Sequence, residues 1–423
     1  MGRNIASSEF TDEDFRAFEQ RLDTETRLIE RWFADGTLAE NAPVGGFELE
    51  AWLTDGDWSP AARNGDLLAR MDDPLLTTEL SRFNVELNTL PRPLKDDALE
   101  RMQHGLDDTW RRTRNGAAAL GLRLIMIGIL PTVTQAELGR SSMTPIARFA
   151  ALNEQILRQR AGRALRIDIT GRERLFTEHP DVMLESAATS FQIHMQVPAS
   201  RSADYYNAAI VASGPIVAMA ANSPYLFGRD LWDETRIPLF EQAVEAGGRG
   251  GAAHGPPRRV GFGTGFVRES LAEVFRENRD HFPVLLPMLF DDTPTEQLAH
   301  LQLQNGTLWR WNRPLVGFDA EGAPHVRIEH RVVPGGPTAV DEIANAALVF
   351  GLMHYYASQE GRTPGRILAF PTARDNFYRC ARQGLSARVD WTDGGSHPVA
   401  QLLREHLLPC ARLGLRDLGL QAG

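Results

Sequence analysis

Polar and apolar residues alternate with a period of two in four short segments spread along the chain. Gly46-Phe-Glu-Leu-Glu-Ala-Trp-Leu53 sets Glu48 and Glu50 against Phe47, Leu49, Ala51 and Leu53. Arg82-Phe-Asn-Val-Glu-Leu-Asn-Thr89 sets Asn84, Glu86 and Asn88 against Phe83, Val85 and Leu87. Ser190-Phe-Gln-Ile-His-Met-Gln-Val197 carries Gln192, His194 and Gln196 on one side, and Arg327-Ile-Glu-His-Arg-Val332 carries Arg327, Glu329 and Arg331. This period predicts strands whose polar side chains share one face. A face that collects Glu, Gln, His and Arg has the composition of a cation and phosphate site, not of ordinary solvated strands.

Longer periodic stretches predict helices between these strands. The first spans residues 11–34, with Thr11 as N-cap and Gly36 as the stop. Others are expected over 96–119, 146–160, 204–221, 233–246, 338–357, 372–384 and 396–410. Leu122–Leu130 predicts a buried strand closed by Pro131, and Thr307–Phe318 with His325–Val333 predicts a hairpin turning at Asp319-Ala-Glu-Gly322. The Gly-rich stretch 246–257 predicts a flexible loop, with a lid as one use for it. Strands mixed with long helices, without strict alternation, give an α+β class, and 1–423 is expected to be a single catalytic domain.

Composition narrows the chemistry. A formal charge of −10, with no basic stripe to offset it, argues against nucleic-acid binding. No apolar run is long enough to span a bilayer, the N-terminal residues lack an apolar signal core, and a cytoplasmic location follows. Cys380 and Cys410 are the two cysteines, too few for a disulfide framework or a multi-cysteine zinc site. Lys95 is the sole lysine, so a P-loop lysine and a Schiff-base mechanism drop out. Phosphate charge must then be met by arginine and metal ions.

Each candidate taken singly has a plainer reading. Glu48 and Glu50 at i, i+2 point the same way and suit a hard divalent cation, but a solvated acidic edge would look alike. Glu79 and Glu86 bracket the second strand and alone read as surface acids. His194 alone is more often a hydrogen-bonded core residue than a ligand, and Glu329 with Arg331 could be a cross-strand ion pair. Trp309 and Trp311 suit core packing better than base stacking. Convergence of these residues on one face gives the metal-and-phosphate reading its weight.

Several stretches together resemble the glutamate–cysteine ligases of family 2, the carboxylate–amine ligase branch of the glutamine synthetase-like superfamily. They are Gly46-Phe-Glu-Leu-Glu50, Thr77–Thr89, Ser190–Val197, Ala221-Asn-Ser-Pro-Tyr-Leu-Phe-Gly-Arg229 with Arg236, Arg327-Ile-Glu-His-Arg331, and Ala373–Gly384. The resemblance implies a curved antiparallel sheet with helices packed on its convex face and the active site on the concave one. It implies Mg²⁺, or Mn²⁺ in its place, held by Glu48, Glu50, Glu79, Glu86, His194 and Glu329, with ATP as cosubstrate. Arg331 would meet the transferred phosphate, giving Arg331, Glu329 and Glu48 catalytic roles. Arg236, Asn222 and Gln192 would bind substrate, and Asn376, Arg379 and Arg382 would join Arg331 in binding ATP phosphates. Residues 246–257 and Thr307–Pro314 depart from the family pattern, so the resemblance does not define the acceptor pocket.

The implied reaction joins the γ-carboxylate of glutamate to the amine of an acceptor amino acid, cysteine by default, through γ-glutamyl phosphate. A different acceptor in a specialised pathway fits the same residues. Two other classes remain open at this point, a metal-dependent hydrolase and a non-catalytic amino-acid sensor. Partners are expected to be small-molecule substrates, without nucleic acid or membrane, and a homo-oligomer is open.

Overall fold

A computed structural model of the chain describes residues 9–246, 258–359 and 368–421. Its centre is an eight-stranded antiparallel sheet: β1 (Val44–Thr54), β2 (Leu76–Thr78), β3 (Asn84–Asn88), β4 (Arg92–Pro93), β5 (Arg123–Ile125), β6 (Ser190–Val197), β7 (Asn312–Phe318) and β8 (Pro324–Pro334). The order is β7-β8-β6-β1-β3-β2, with β4 and β5 also pairing with β1. The chain is thus α+β with a curved antiparallel sheet, as expected.

The period-two pattern decides which face is covered. Phe47, Leu49, Val85, Leu87, Phe191, Ile193 and Met195 are buried on one side. There Phe47 packs on Phe191 and stacks on Phe350, ring centroids 4.9 and 5.9 Å apart. Phe350 belongs to the Ala339–Ala357 helix, which lies against the sheet beside the almost wholly buried Ser202–Ala220 helix. Gly45 lets the layers close: a β-carbon there would stand 2.7 Å from Leu94 and 2.8 Å from Phe350. A further layer, helices Phe370–Gln383 and Leu408–Asp417, packs behind these two. Gly414 permits that approach, because its β-carbon would meet the Gly351 carbonyl oxygen at 2.0 Å.

Helix boundaries follow their local signals. The first helix is Asp12–Asp35, its N-terminus closed by a reciprocal Thr11–Asp14 capping box and its end by Gly36 at φ 77°. The expected 146–160 helix is Ala147–Gln159, and the hairpin at 319–322 joins β7 to β8. Three expectations change. Of Leu122–Leu130 only Arg123–Ile125 is strand, paired with Trp52–Thr54, because β6 takes the same edge of β1 from Leu49 toward its start. The 233–246 helix shortens to Arg236–Ala243. The helix expected at 396–410 begins at Val399 after a short Arg388–Asp390/Ser396–Pro398 hairpin and continues to Asp417. The Leu165–Thr170/Arg174–His179 hairpin was not expected. The Gly-rich loop falls, apart from Ala246, outside the described residues.

Candidate active site

The opposite side of the sheet gathers the polar residues, most of them buried, and register explains how. Gly46 pairs with His194 and Glu48 with Gln192 across β1 and β6, while Glu329 pairs with His194 across β8 and β6. On the other flank Glu50 pairs with Glu86 across β1 and β3. Alternation then keeps Glu48, Glu50, Glu86, Gln192, His194, Glu329 and Arg331 on one surface.

Two separate ligand sets result. Glu48, His194 and Glu329 each offer an atom within 4.8 Å of the others, and Glu50, Glu79 and Glu86 do the same. In the first set His194 Nε2 lies 3.3 Å from Glu48 Oε1 and 3.8 Å from Glu329 Oε1. That nitrogen is buried with no hydrogen-bond partner among the described residues and faces two carboxylates, a fitting donor set for a divalent cation. In the second set Glu50 and Glu86 oppose each other directly across the strand pair. Like charges so placed repel unless a cation or a proton lies between them. Oxygen-rich groups of this kind fit Mg²⁺ or Mn²⁺.

The two sets differ in charge. Burial alone would raise the Glu329 carboxyl, but Arg313, then Arg331 and His194, hold it at about 2. Glu48 also lies well below the ordinary range, because charges including those of His194 and Arg331 outweigh its burial. The second set has no such balance. Burial and then the Glu48 charge push Glu86 up to about 7, and burial followed by Glu86 and Glu50 pushes Glu79 well above the carboxylate range. Glu50 is raised by burial despite Arg331. The Glu50–Glu79–Glu86 set is short of positive charge, whereas the Glu48 and Glu329 carboxylates are held in their charged form by neighbouring cations.

A bulge aims Arg331. The β6–β8 register shifts by one residue between His330 and Val333. Arg236 binds the carbonyls exposed there, donating from Nη1 to Arg331 O at 3.1 Å and from Nη2 to Val332 O, while its Nε holds Glu234 Oε1 at 3.0 Å. Arg331 Nη1 in turn donates to Gln192 Oε1 and lies 3.2 Å from Glu329 Oε2. Gln192 Nε2 donates to Glu50 Oε1 at 2.7 Å. Arg331 and Gln192 thus connect one carboxylate set to the other.

Above this face lies a cavity of about 330 Å³. Its acids are Glu48, Glu50, Glu79, Glu86 and Glu185, its cations Arg148, Arg313 and Arg331, and its apolar wall includes Phe149, Leu152, Val182, Val244 and Trp309. Such a cavity can hold a polyanion through cations and arginines and present an organic substrate to it.

The structure brings Glu48, Glu50, Glu79, Glu86, Gln192, His194, Glu329 and Arg331 together as expected from the sequence. It places five other residues differently from the expectation. Arg236 is fully buried, engaged by Glu234 and the bulge carbonyls, and does not line the cavity, so its geometry fits a brace and not a substrate-carboxylate clamp. Asn222 likewise holds Gly335 O at 2.9 Å. Asn376 clamps Asp390 through its backbone N–H and carbonyl, and Arg379 Nη2 donates to Asn376 Oδ1 and to Asp390 Oδ2 at 2.7 Å. Arg382 stacks over Trp232, 4.7 Å from the ring centroid. Arg379 and Arg382 line a different cleft, since their helix packs behind the Ser202–Ala220 helix and not on the polar face.

Four cavity residues escaped the sequence reading: Arg148, Glu185, Arg313 and, as a wall residue, Trp309. Arg313 was within reach, because counting back from the 319–322 turn pairs it with Glu329. Arg148 and Glu185 lie on a helix and a 3₁₀ turn outside any strand alternation.

The fold has a known counterpart. A glutamate–cysteine ligase from Francisella tularensis, solved in complex with AMP, aligns with a TM-score of 0.54 at 10% identity, covering 90% of this chain and 82% of that one. A bifunctional glutathione synthetase from Pasteurella multocida aligns with a TM-score of 0.47 at 9% identity, over 96% of this chain and 48% of that one. No curated protein sequence is a significant match. No helix among the described residues is long and apolar enough to cross a membrane. The model of glutamate–cysteine ligase family 2 matches residues 44–418, nearly the whole of the chain with the polar sheet inside it, and the chain belongs to that family of ATP-dependent ligases.

Proposed function

We propose that the chain joins the γ-carboxylate of glutamate to the amine of an acceptor amino acid, with cysteine as the first candidate. A carboxylate is a poor electrophile, so one of its oxygens first attacks the γ-phosphorus of ATP, releasing ADP and leaving γ-glutamyl phosphate. The acceptor nitrogen then attacks the γ-carbonyl carbon, and the C–O bond to phosphate breaks. Mg²⁺, held by Glu48, His194 and Glu329 on one side and by Glu50, Glu79 and Glu86 on the other, would neutralise phosphate charge when bound.

The protein's own groups do the positioning. Arg331, aimed into the cavity by the bulge and by Gln192, supplies positive charge where the phosphoryl group moves. Arg148 and Arg313 line the same cavity and suit the remaining phosphate or carboxylate charge. Gln192 bridges Glu50 and Arg331, so the phosphoryl end and the second carboxylate set keep a fixed spacing. No lysine or covalent nucleophile is required, which agrees with a chain whose one lysine lies outside the cavity.

The observation that carries this reading is the pair of carboxylate sets side by side on one polar face, bridged by Arg331 and Gln192. ADP release should require glutamate and Mg²⁺ and rise with an amino acid from a panel that includes cysteine, with a γ-glutamyl amide detected by mass. Hydrolysis without ATP would point to a hydrolase, and ligand binding without ADP release to a sensor. Either result ends the ligase reading.

A further inference from the structure

Every other acid that lines the cavity has an internal partner or a place in a cation set. Glu50 accepts from the Ser190 N–H at 2.6 Å and from Gln192, Glu86 accepts from Thr77 and Asn88 at 3.0 Å each, and Glu48 faces His194. Glu79 is grouped with Glu50 and Glu86. Glu185 stands apart: its carboxylate makes no hydrogen bond and no ion pair with any described residue, and it belongs to neither ligand set.

The turn that carries Glu185 is rigid. Asp181 caps the Val182–Ala187 3₁₀ helix by accepting from Met183 N–H at 3.0 Å, and Asn153 accepts from Val182 N–H at 3.1 Å. Met183 and Leu184 are fully buried beneath it. In a 3₁₀ helix residues i and i+3 eclipse, so Val182 and Glu185 present one apolar and one charged group to the cavity together. Burial, then the Glu50 charge, pushes the Glu185 carboxyl up to about 8, with Arg331 opposing. A lone carboxyl so placed gains most from a cationic ligand group.

Amino-acid substrates carry such a group. Glu185 lines the same cavity as Glu50, Gln192 and Arg331, the residues assigned to the phosphoryl group. The α-ammonium of glutamate is three carbons removed from the reacting γ-carbonyl, whereas the acceptor nitrogen must reach that carbon itself.

Resting on the γ-glutamyl ligase reading, we propose that Glu185 binds the ammonium group of the acceptor amino acid and takes one of its protons as the amide forms. The ammonium gives one proton to the Glu185 carboxylate, and its freed electron pair forms the N–C bond. The C–O bond to phosphate breaks, and the second proton lost by nitrogen leaves on the phosphate. Val182 beside the carboxylate favours an acceptor whose side chain is small and apolar, a description a thiol side chain meets.

The test compares the wild type with Glu185→Gln, both confirmed folded by their melting curves. Steady-state kinetics with Mg²⁺-ATP, glutamate and cysteine give a KM for each substrate. Losing a charge-assisted hydrogen bond should raise the acceptor KM roughly tenfold or more and leave the ATP and glutamate KM values within about twofold. Acceptor-free, glutamate-dependent ADP release, with 5-oxoproline from cyclised γ-glutamyl phosphate, should persist in the variant. An unchanged acceptor KM, or equal losses for all three substrates, overturns the proposal for Glu185. A wild type that releases no glutamate-dependent ADP overturns the ligase reading instead, and the Glu185 proposal with it.

Discussion

Arg313 grips Glu329 through two parallel hydrogen bonds across adjacent strands, 2.5 Å from Nε to Oε2 and 2.7 Å from Nη2 to Oε1. The fork keeps the Glu329 carboxylate charged before any metal arrives, since Arg313 is the foremost of the charges that hold it at about 2. Arg313→Lys keeps a positive charge but loses the fork. Its kcat/KM is expected to fall roughly tenfold, and that of Arg313→Ala roughly a hundredfold, at unchanged secondary structure. Equal activity of all three proteins would remove Arg313 from the site.

Glu48→Gln and Glu329→Gln remove one charge each from a three-residue set while keeping side-chain volume. Both are expected to abolish turnover with the fold retained, read by ADP release and by circular dichroism, and Glu329→Gln should also lower the Tm because buried Arg313 loses its partner. Wild-type rates in either variant would dissolve the cation assignment.

The second set makes stability depend on pH and metal together. Without a cation, Glu86 titrates at about 7 in place of 4.5, so the folded state binds more protons than the unfolded one between these values. Stability of the metal-free protein should therefore fall as pH rises through that window. Mg²⁺ needs the ionised carboxylates and competes with those protons, so the Tm gain on adding it should be larger at about pH 8 than at about pH 5.5. A gain that shrinks with rising pH would contradict this sign.

Arg236 tests the brace. Glu234→Gln or Arg236→Lys leaves a buried charge or two bulge carbonyls without the partners now seen. Either change is expected to cost about 3 kcal/mol of unfolding free energy by denaturant titration. Activity should fall with it, because Arg331 lies on the bulge. Arg382→Ala, in the separate cleft, should leave ATP KM within about twofold. A large ATP KM increase there, with little change in Arg236→Lys, would restore the roles expected from sequence.

Much of the site was legible because a strand's period is two. Once Glu48, Glu86, His194 and Glu329 fell on polar faces, their convergence needed only antiparallel pairing. Division into two sets was not legible, since it depends on register: Glu50 meets Glu86 and His194 meets Glu329 only in the alignment the strands adopt. The role of Arg236 was hidden by a one-residue bulge, which no periodicity announces. Asn376, Arg379 and Arg382 misled for a different reason. Their helix turns Ala373, Asn376, Phe377 and Cys380 inward, and the layer it joins lies behind the sheet's helices. Glu185 left no periodic signal because it sits on a single 3₁₀ turn.

Crystals grown with Mn²⁺ and a non-hydrolysable ATP analogue offer the most direct measurement, because anomalous scattering locates the metal without reference to activity. Peaks are expected within coordination distance of Glu48, His194 and Glu329 and of Glu50, Glu79 and Glu86, with the triphosphate between them and Arg331. Absence of manganese from both sets, or a nucleotide seated at the Arg379–Arg382 cleft, would contradict the assignment of this face as the ligase centre.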